Sequence, residues 1–205
     1  RNLLLGVTVF FLARVQASLY FMNNIADETI FNRARRQVLI NAVPFVVLFL
    51  IFVGVTLTAD GYELNPVNGE VFVRKYKYFF NLIEMPWVAV MFLIGVVSVL
   101  YAIIRAAFSK TWICGIWYSG IGTVLVVLSL FFLAGYNNTP YYPSAVDLQS
   151  SLTIYNSSSS LFTLEVMTVV SFLVPFVLAY IVYAWRAMDK KPITEQEMES
   201  GEHTY

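Results

Sequence analysis

Charge is scarce in this chain. Only 13% of its 205 residues are Asp, Glu, Lys or Arg, and 13 basic side chains balance 13 acidic ones, so the formal net charge is zero. A protein that binds nucleic acid through phosphates needs a basic surface, and this composition supplies no basic excess. The sequence therefore argues against a nucleic-acid partner.

Metal and redox ligands are equally scarce, with one cysteine, Cys114, and one histidine, His203. A single cysteine excludes an internal disulfide or a cysteine-based metal cage, and a single histidine excludes haem ligation by two histidines of this chain. P-loop, G-x-G-x-x-G and H-E-x-x-H motifs are absent, and no apolar run contains a lysine for a Schiff base. We expect no catalytic, cofactor-binding or metal-binding residue in this chain.

Apolar sequence, by contrast, is abundant. Hydrophobic residues make up 59% of the chain and the mean hydropathy is +0.68, well above that of soluble domains. Five runs approach the ~20 apolar residues that cross a hydrocarbon core of ~30 Å, and a helix satisfies its own backbone in lipid. We predict an all-α, polytopic transmembrane bundle over residues 1–187 and a cytoplasmic tail over 188–205. The predicted spans cover about residues 2–22, 37–58, 85–104, 111–134 and 161–185.

The distribution of lysine and arginine predicts the orientation, because positive residues are retained in the cytoplasm. With five spans, eight basic residues lie on the same side of the membrane as the C-terminus, and four lie on the other side. These groups are Arg33, Arg35, Arg36, Arg105, Lys110, Arg186, Lys190 and Lys191, against Arg1, Arg74, Lys75 and Lys77. The C-terminus is therefore predicted to be cytoplasmic. In the first outer loop, Val71–Ile83 mixes basic and aromatic residues and is predicted to lie flat in the membrane interface.

Three polar residues are candidates for contacts inside the membrane or with a partner. Arg14 lies within the first span and needs a counter-charge, since a guanidinium does not deprotonate in practice. No acidic residue of this chain lies at a matching depth, so Arg14 either extends to the interface or pairs with another polypeptide. Gln16 follows in the same span. Glu84 precedes Pro86, where a structural carboxylate in a first helical turn is favoured over a proton relay.

Small residues mark a candidate packing surface on the fourth span. Gly115, Ser119 and Gly122 recur at roughly helical spacing, which allows another backbone to approach closely. We expect this surface to form a helix–helix seam, and we expect Arg14 and the seam to meet other polypeptides or spans that this chain lacks.

Several stretches carry a resemblance to a known family. Ser151–Ser159 (SLTIYNSSS) followed by Leu161–Thr168 (LFTLEVMT) resembles the last loop and last span of subunit II of the cytochrome bd-type quinol oxidases. Ile193–Glu199 (ITEQEME) and the closing His203–Tyr205 are similar to the cytoplasmic end of that subunit. Weaker similarity covers Gln16–Tyr20 and Asn81–Pro86.

The resemblance implies the C-terminal part of a haem-free subunit in a bacterial inner-membrane complex. In that family the complex oxidises membrane quinol and reduces dioxygen to water. Haems b and d are expected in the partner subunit I, which subunit II supports. Further partners are the missing N-terminal spans of the same subunit and membrane lipid. Many family members have a histidine where this chain has Gln16, so the resemblance assigns that position no ligand role.

A second hypothesis is half of a secondary membrane transporter. Pro44 and Pro175 fall inside predicted spans, and transporters build midplane substrate sites from broken helices. The sequence lacks paired glycine-interrupted segments and a midplane acid for ion coupling. The oxidase subunit therefore remains the favoured interpretation.

Overall fold

The computed structural model describes residues 1–109 and 111–188. Most of the predicted tail, together with Lys110, Lys190 and Lys191 of the orientation argument, lies outside the described residues. The longer helices are α1 (Asn2–Asn24), α2 (Glu28–Thr58), α4 (Pro86–Phe108), α5 (Gly115–Gly135), α7 (Leu161–Ser171) and α8 (Val174–Met188). The shorter elements are strands β1 (Gly61–Leu64) and β2 (Val71–Arg74), helices α3 (Lys77–Glu84) and α6 (Ile154–Ser157), and a 3₁₀ turn over Leu148–Ser150.

Five candidate membrane spans occur within the described ranges: α1, α2, α4, α5 and the stretch formed by α7 and α8. This confirms the predicted all-α polytopic bundle. Helix α2 is longer than the predicted span, because Asp27 caps it and its first polar turns are already helical. The Asp27 carboxylate accepts a hydrogen bond from the backbone N–H of Ile30 at 2.6 Å.

The last span breaks in its middle, between Ser171 and Val174. Pro175 explains the position of the break, since its ring would clash with the carbonyl of the residue four positions earlier, Ser171. Pro44 lies inside α2, which continues on both sides of it. The two prolines of the transporter hypothesis thus differ, and only Pro175 accompanies a broken helix.

Four spans form one bundle in which α1 packs along α2 and α4 packs along α5. Smaller contacts join α1 to α5 and α2 to α4, which closes the ring of helices. The central core is formed by Val15, Leu19, Met22, Ala34, Val38, Ala42, Phe45, Val99, Ile103 and Ala106. By contrast, α7 and α8 have no buried residue within the described chain.

The small residues of α5 pack against helices of the same chain. A Cβ added to Gly122 would lie 2.7 Å from the carbonyl oxygen of Gly95 in α4, and one added to Gly115 would lie 2.8 Å from a methyl group of Leu19 in α1. Ser119 is fully buried between them. The seam therefore has an internal partner, in contrast to the expectation that it would meet another polypeptide or a missing span.

The segment Val71–Ile83 is not one continuous interfacial stretch. Its first residues form β2, which pairs antiparallel with β1 from Gly61↔Arg74 to Leu64↔Val71. Tyr76 adopts a left-handed conformation with φ of 55°, which turns the chain from β2 into α3. The alternation of basic and aromatic residues therefore serves a hairpin and a short helix that fold over the end of the bundle.

Candidate functional site

The most extensive polar site lies at one end of the bundle, where α2 ends and α4 begins. We call this the hairpin end, because β1, β2 and α3 cover it together with the loop that follows α5. Seven side chains there form a connected set of ion pairs and hydrogen bonds, which we call the hairpin-end network. Its members are Glu63, Arg74, Lys77, Asn81, Glu84, Asn137 and Thr139.

Lys77 occupies the centre of the network and has no exposed surface. Its ammonium group lies 3.2 Å from the carboxylate of Glu63 and donates a hydrogen bond of 3.0 Å to the backbone carbonyl of Asn137. Burial lowers the pKa of Lys77, and Glu63 opposes that shift. Gly61 makes the approach possible, because a Cβ there would lie 2.7 Å from the Cβ of Lys77.

Arg74 bridges the two carboxylates of the network. Its guanidinium donates to both oxygens of Glu63 at 3.0 and 3.2 Å and to Glu84 at 3.2 Å, while it also lies over the ring of Phe80. The hydrogen bond to Glu63 raises the pKa of Arg74. Two acidic and two basic side chains thus balance one another within this site.

Glu84 is the one predicted site residue that belongs to the network. Partial burial acts to raise its pKa, but the hydrogen bond of 2.5 Å from the Asn137 amide and the charge of Arg74 lower it overall. Glu84 therefore stays ionised at neutral pH, which suits a structural carboxylate better than a proton relay. The expected reason was wrong, however, because Glu84 ends α3 and α4 begins only at Pro86, with no acidic residue in its first turn.

Asn81 connects the network to the last turn of α5. It is fully buried and donates hydrogen bonds to the carbonyl of Leu133 at 3.0 Å and to the hydroxyl of Thr139 at 2.8 Å. Its own carbonyl oxygen accepts a hydrogen bond of 3.1 Å from the amide of Asn137. The side chain of Asn81 is satisfied on both its donor and acceptor sides, so the site holds two helices and a loop in one arrangement.

Sequence reasoning missed most of this network. Lys77 was assigned to a flat interfacial segment, and Asn137 was not among the candidate residues. The sequence did contain one signal, the consecutive asparagines Asn137 and Asn138, because asparagine tolerates a left-handed backbone conformation. Both residues have φ near 55° in the structure. The pairing of Lys77 with Glu63 could not be predicted, because it depends on the register of the hairpin.

The other two predicted polar residues lie in α1 and differ in their surroundings. Gln16 donates a hydrogen bond of 2.9 Å to the hydroxyl of Thr123 in α5. Arg14 is exposed, its guanidinium lies 5.8 Å from the ring centre of Phe10, and it forms no ion pair with any acidic residue that the structure describes. Gln16 is therefore used inside the bundle, whereas Arg14 points away from it.

The sequence of this chain matches a known protein family. The family model for cytochrome bd terminal oxidase subunit II matches residues 1–188. The chain belongs to the cytochrome bd oxidase subunit II family. This confirms the family predicted from the sequence.

Two curated relatives illustrate the match to the subunit II family. The probable cytochrome oxidase subunit 2 of Haemophilus influenzae is 30% identical over 176 residues, covering 78% of this chain and 44% of the relative. The cytochrome bd-I ubiquinol oxidase subunit 2 of Escherichia coli is 28% identical over 216 residues, covering 99% of this chain and 55% of the relative. The chain thus spans about half the length of the curated relatives it matches. Neither the family nor these relatives support the transporter hypothesis.

The family name implies haem. Haem iron takes a histidine, methionine, cysteine or tyrosine as its axial ligand. The described residues contain no histidine, and Cys114 lies exposed. The apolar cavity enclosed by α1, α2, α4 and α5 measures about 100 Å³, far below the ~300–1,000 Å³ of typical ligand pockets. This apolar cavity is therefore too small for a haem.

Proposed function

We propose that this chain is part of the haem-free subunit II of a bd-type quinol oxidase and that it supports subunit I in quinol oxidation and dioxygen reduction to water. The match of the family model across residues 1–188 carries this proposal. The name of the Escherichia coli relative, a ubiquinol oxidase subunit, supports quinol as the reductant. The complex would lie in the inner membrane of a bacterium, with the C-terminus in the cytoplasm.

Haems b and d are assigned to the partner subunit under this proposal. The assignment is supported by the single histidine of the sequence and by the small volume of the apolar cavity between α1, α2, α4 and α5. The chain contributes packing surfaces instead. Arg14 and the exposed faces of α7 and α8 are proposed to contact subunit I, further spans of the same subunit or lipid.

The deciding experiment is purification of the tagged, full-length parent protein from its native membrane in a mild detergent. The expected result is a co-purifying subunit and a reduced-minus-oxidised visible spectrum with b- and d-type haem bands. A colourless preparation without a partner would overturn the proposal. The control is the same tagged protein denatured in urea before purification. Haem that still co-purifies with the denatured protein is bound non-specifically.

A further inference from the structure

The opposite end of the bundle, where α1 ends and α2 begins, carries arginines that the fold does not use. We call it the arginine end. Arg33, Arg35 and Arg36 lie in the first turns of α2, and none forms an ion pair within the described part of the chain. The neighbouring carboxylate of Asp27 is engaged as the cap of α2. The positive charge at this end is therefore available to something outside the described chain.

The outer face of α2 presents this charge on an open surface, which we call the arginine patch. The patch consists of Glu28, Thr29, Asn32, Arg33 and Arg36. Residues three and four positions apart lie on one side of a helix, about 5–6 Å from each other, so the two guanidinium groups can reach the same anion. Arg33 and Arg36 are exposed, and a guanidinium binds phosphate oxygens in a bidentate manner.

Directly along the same helical face the surface becomes apolar. Ile40, Val43, Val47 and Leu50 follow at helical spacing, with exposed fractions of 52%, 65%, 50% and 63%. At a rise of 1.5 Å per residue, Ile40 to Leu50 extends about 15 Å, which is half of a hydrocarbon core of ~30 Å. This face thus combines an anion-binding end with an apolar stripe as long as one leaflet is thick.

We propose that the outer face of α2 is a binding site for an anionic phospholipid of the bilayer. Arg33 and Arg36 bind the phosphate, Asn32 and Thr29 offer further polar contacts, and the acyl chains lie along Ile40, Val43, Val47 and Leu50. Charge complementarity selects the ligand, because a zwitterionic headgroup would leave the surplus positive charge unbalanced. The proposal needs only the membrane-spanning bundle, so its failure would leave the oxidase assignment intact.

The test is a titration of the purified full-length parent protein with phosphatidylglycerol and with phosphatidylcholine, read by native mass spectrometry. Basic residues near a membrane surface contribute about 1 kcal/mol each, so R33Q/R36Q should weaken phosphatidylglycerol binding about 25-fold and either single variant about fivefold. Lys75→Gln is the matched control. It removes an exposed positive charge that has no ion pair in the described chain, and it lies at the hairpin end, so binding should not change.

Salt and an opposite-sign variant complete the test. Raising the ionic strength should release phosphatidylglycerol from the unmodified protein. Glu28→Gln, which removes the one acidic residue of the arginine patch, should strengthen its binding. The proposal is overturned if R33Q/R36Q binds phosphatidylglycerol as the unmodified protein does, or if phosphatidylcholine binds equally well. It is also overturned if R33Q/R36Q keeps its lipid and instead loses a co-purifying protein subunit. Should R33Q/R36Q not be recoverable, the salt titration decides.

Discussion

The two ends of the bundle both carry several charged side chains, but they use them in opposite ways. At the hairpin end, Glu63, Arg74, Lys77 and Glu84 neutralise one another, and Lys77 has no contact with solvent. At the arginine end, the charges of α2 have no acidic partner among the described residues. The first arrangement stabilises this chain, whereas the second leaves positive charge free for the anionic phospholipid proposed above.

The largest expected effect follows from breaking the balance at the hairpin end. Glu63→Gln would leave the ammonium of Lys77 buried without its counter-charge, and removal of one partner of a buried ion pair costs about 3–5 kcal/mol. We expect a loss near the lower bound, about 3 kcal/mol, because Glu63 retains 18% exposure of its side chain. Denaturant unfolding of the purified parent protein in detergent measures the change.

A double variant distinguishes this electrostatic effect from loss of packing. E63Q/K77M removes the stranded charge together with its partner, and it should recover most of the stability that E63Q loses. An E63Q protein as stable as the unmodified one would contradict the idea that the network holds the hairpin end. So would a double variant that is no more stable than the single one.

Helix α5 has one surface that packs closely against α4, at Gly122, and one with open space beside it, at Gly120. Gly122→Ala would place a methyl group 2.7 Å from the carbonyl oxygen of Gly95. Relief of this clash requires the helix backbones to move apart, because the contacted atom belongs to the backbone. Overpacking of this kind costs about 1–3 kcal/mol. Gly120→Ala is the control on the same helix, because nothing lies within 4 Å of its added Cβ. Thermal unfolding should show a loss for Gly122→Ala only; equal losses would mean that helix propensity in lipid, not the seam, is responsible.

These regions also show where sequence analysis succeeds and where it stops. Hydropathy predicts five spans because lipid forces every backbone polar group into a helix, whatever the propensities of its residues. The spacing of Gly115, Ser119 and Gly122 indicated a close packing surface for the same physical reason. Spacing cannot identify which helix packs against this surface. The partner of Gly122 is Gly95 of α4, and this depends on how the helices are arranged in the bundle.

The hairpin end illustrates the harder case. Lys77 reads as a surface residue, because an isolated lysine is almost never fully buried. Its burial requires Gly61 to lie opposite and Glu63 to lie two residues further along β1, a relation fixed by the pairing of β1 with β2. Long-range pairing of this kind leaves no local signal, so the network could not be predicted from composition or periodicity.

A smaller effect concerns pH at the hairpin end. The lowered pKa of Glu84 means that its ionised form stabilises the fold above the unfolded value of about 4.5 and that this contribution is lost as the pH falls through the lower folded value. Thermal unfolding followed from pH 7 to pH 3 should therefore show a decline that Glu84→Gln reduces. Identical profiles for the unmodified protein and Glu84→Gln would show that Glu84 is not held by Arg74 and Asn137 in solution.

The smallest expected change in stability separates two neighbouring residues of α1. Gln16→Leu removes the hydrogen bond to Thr123, and such bonds between membrane helices contribute about 0.6 kcal/mol on average. Arg14→Gln should leave the stability of the chain unchanged, because no described acidic residue pairs with it.

The two variants should have the opposite relation in assembly with subunit I. Arg14→Gln should lower the yield of co-purified subunit I if Arg14 meets a carboxylate there, whereas Gln16→Leu should not change that yield. Unchanged yield and activity in Arg14→Gln would remove the case for an ion pair between subunits and would leave Arg14 to the lipid interface.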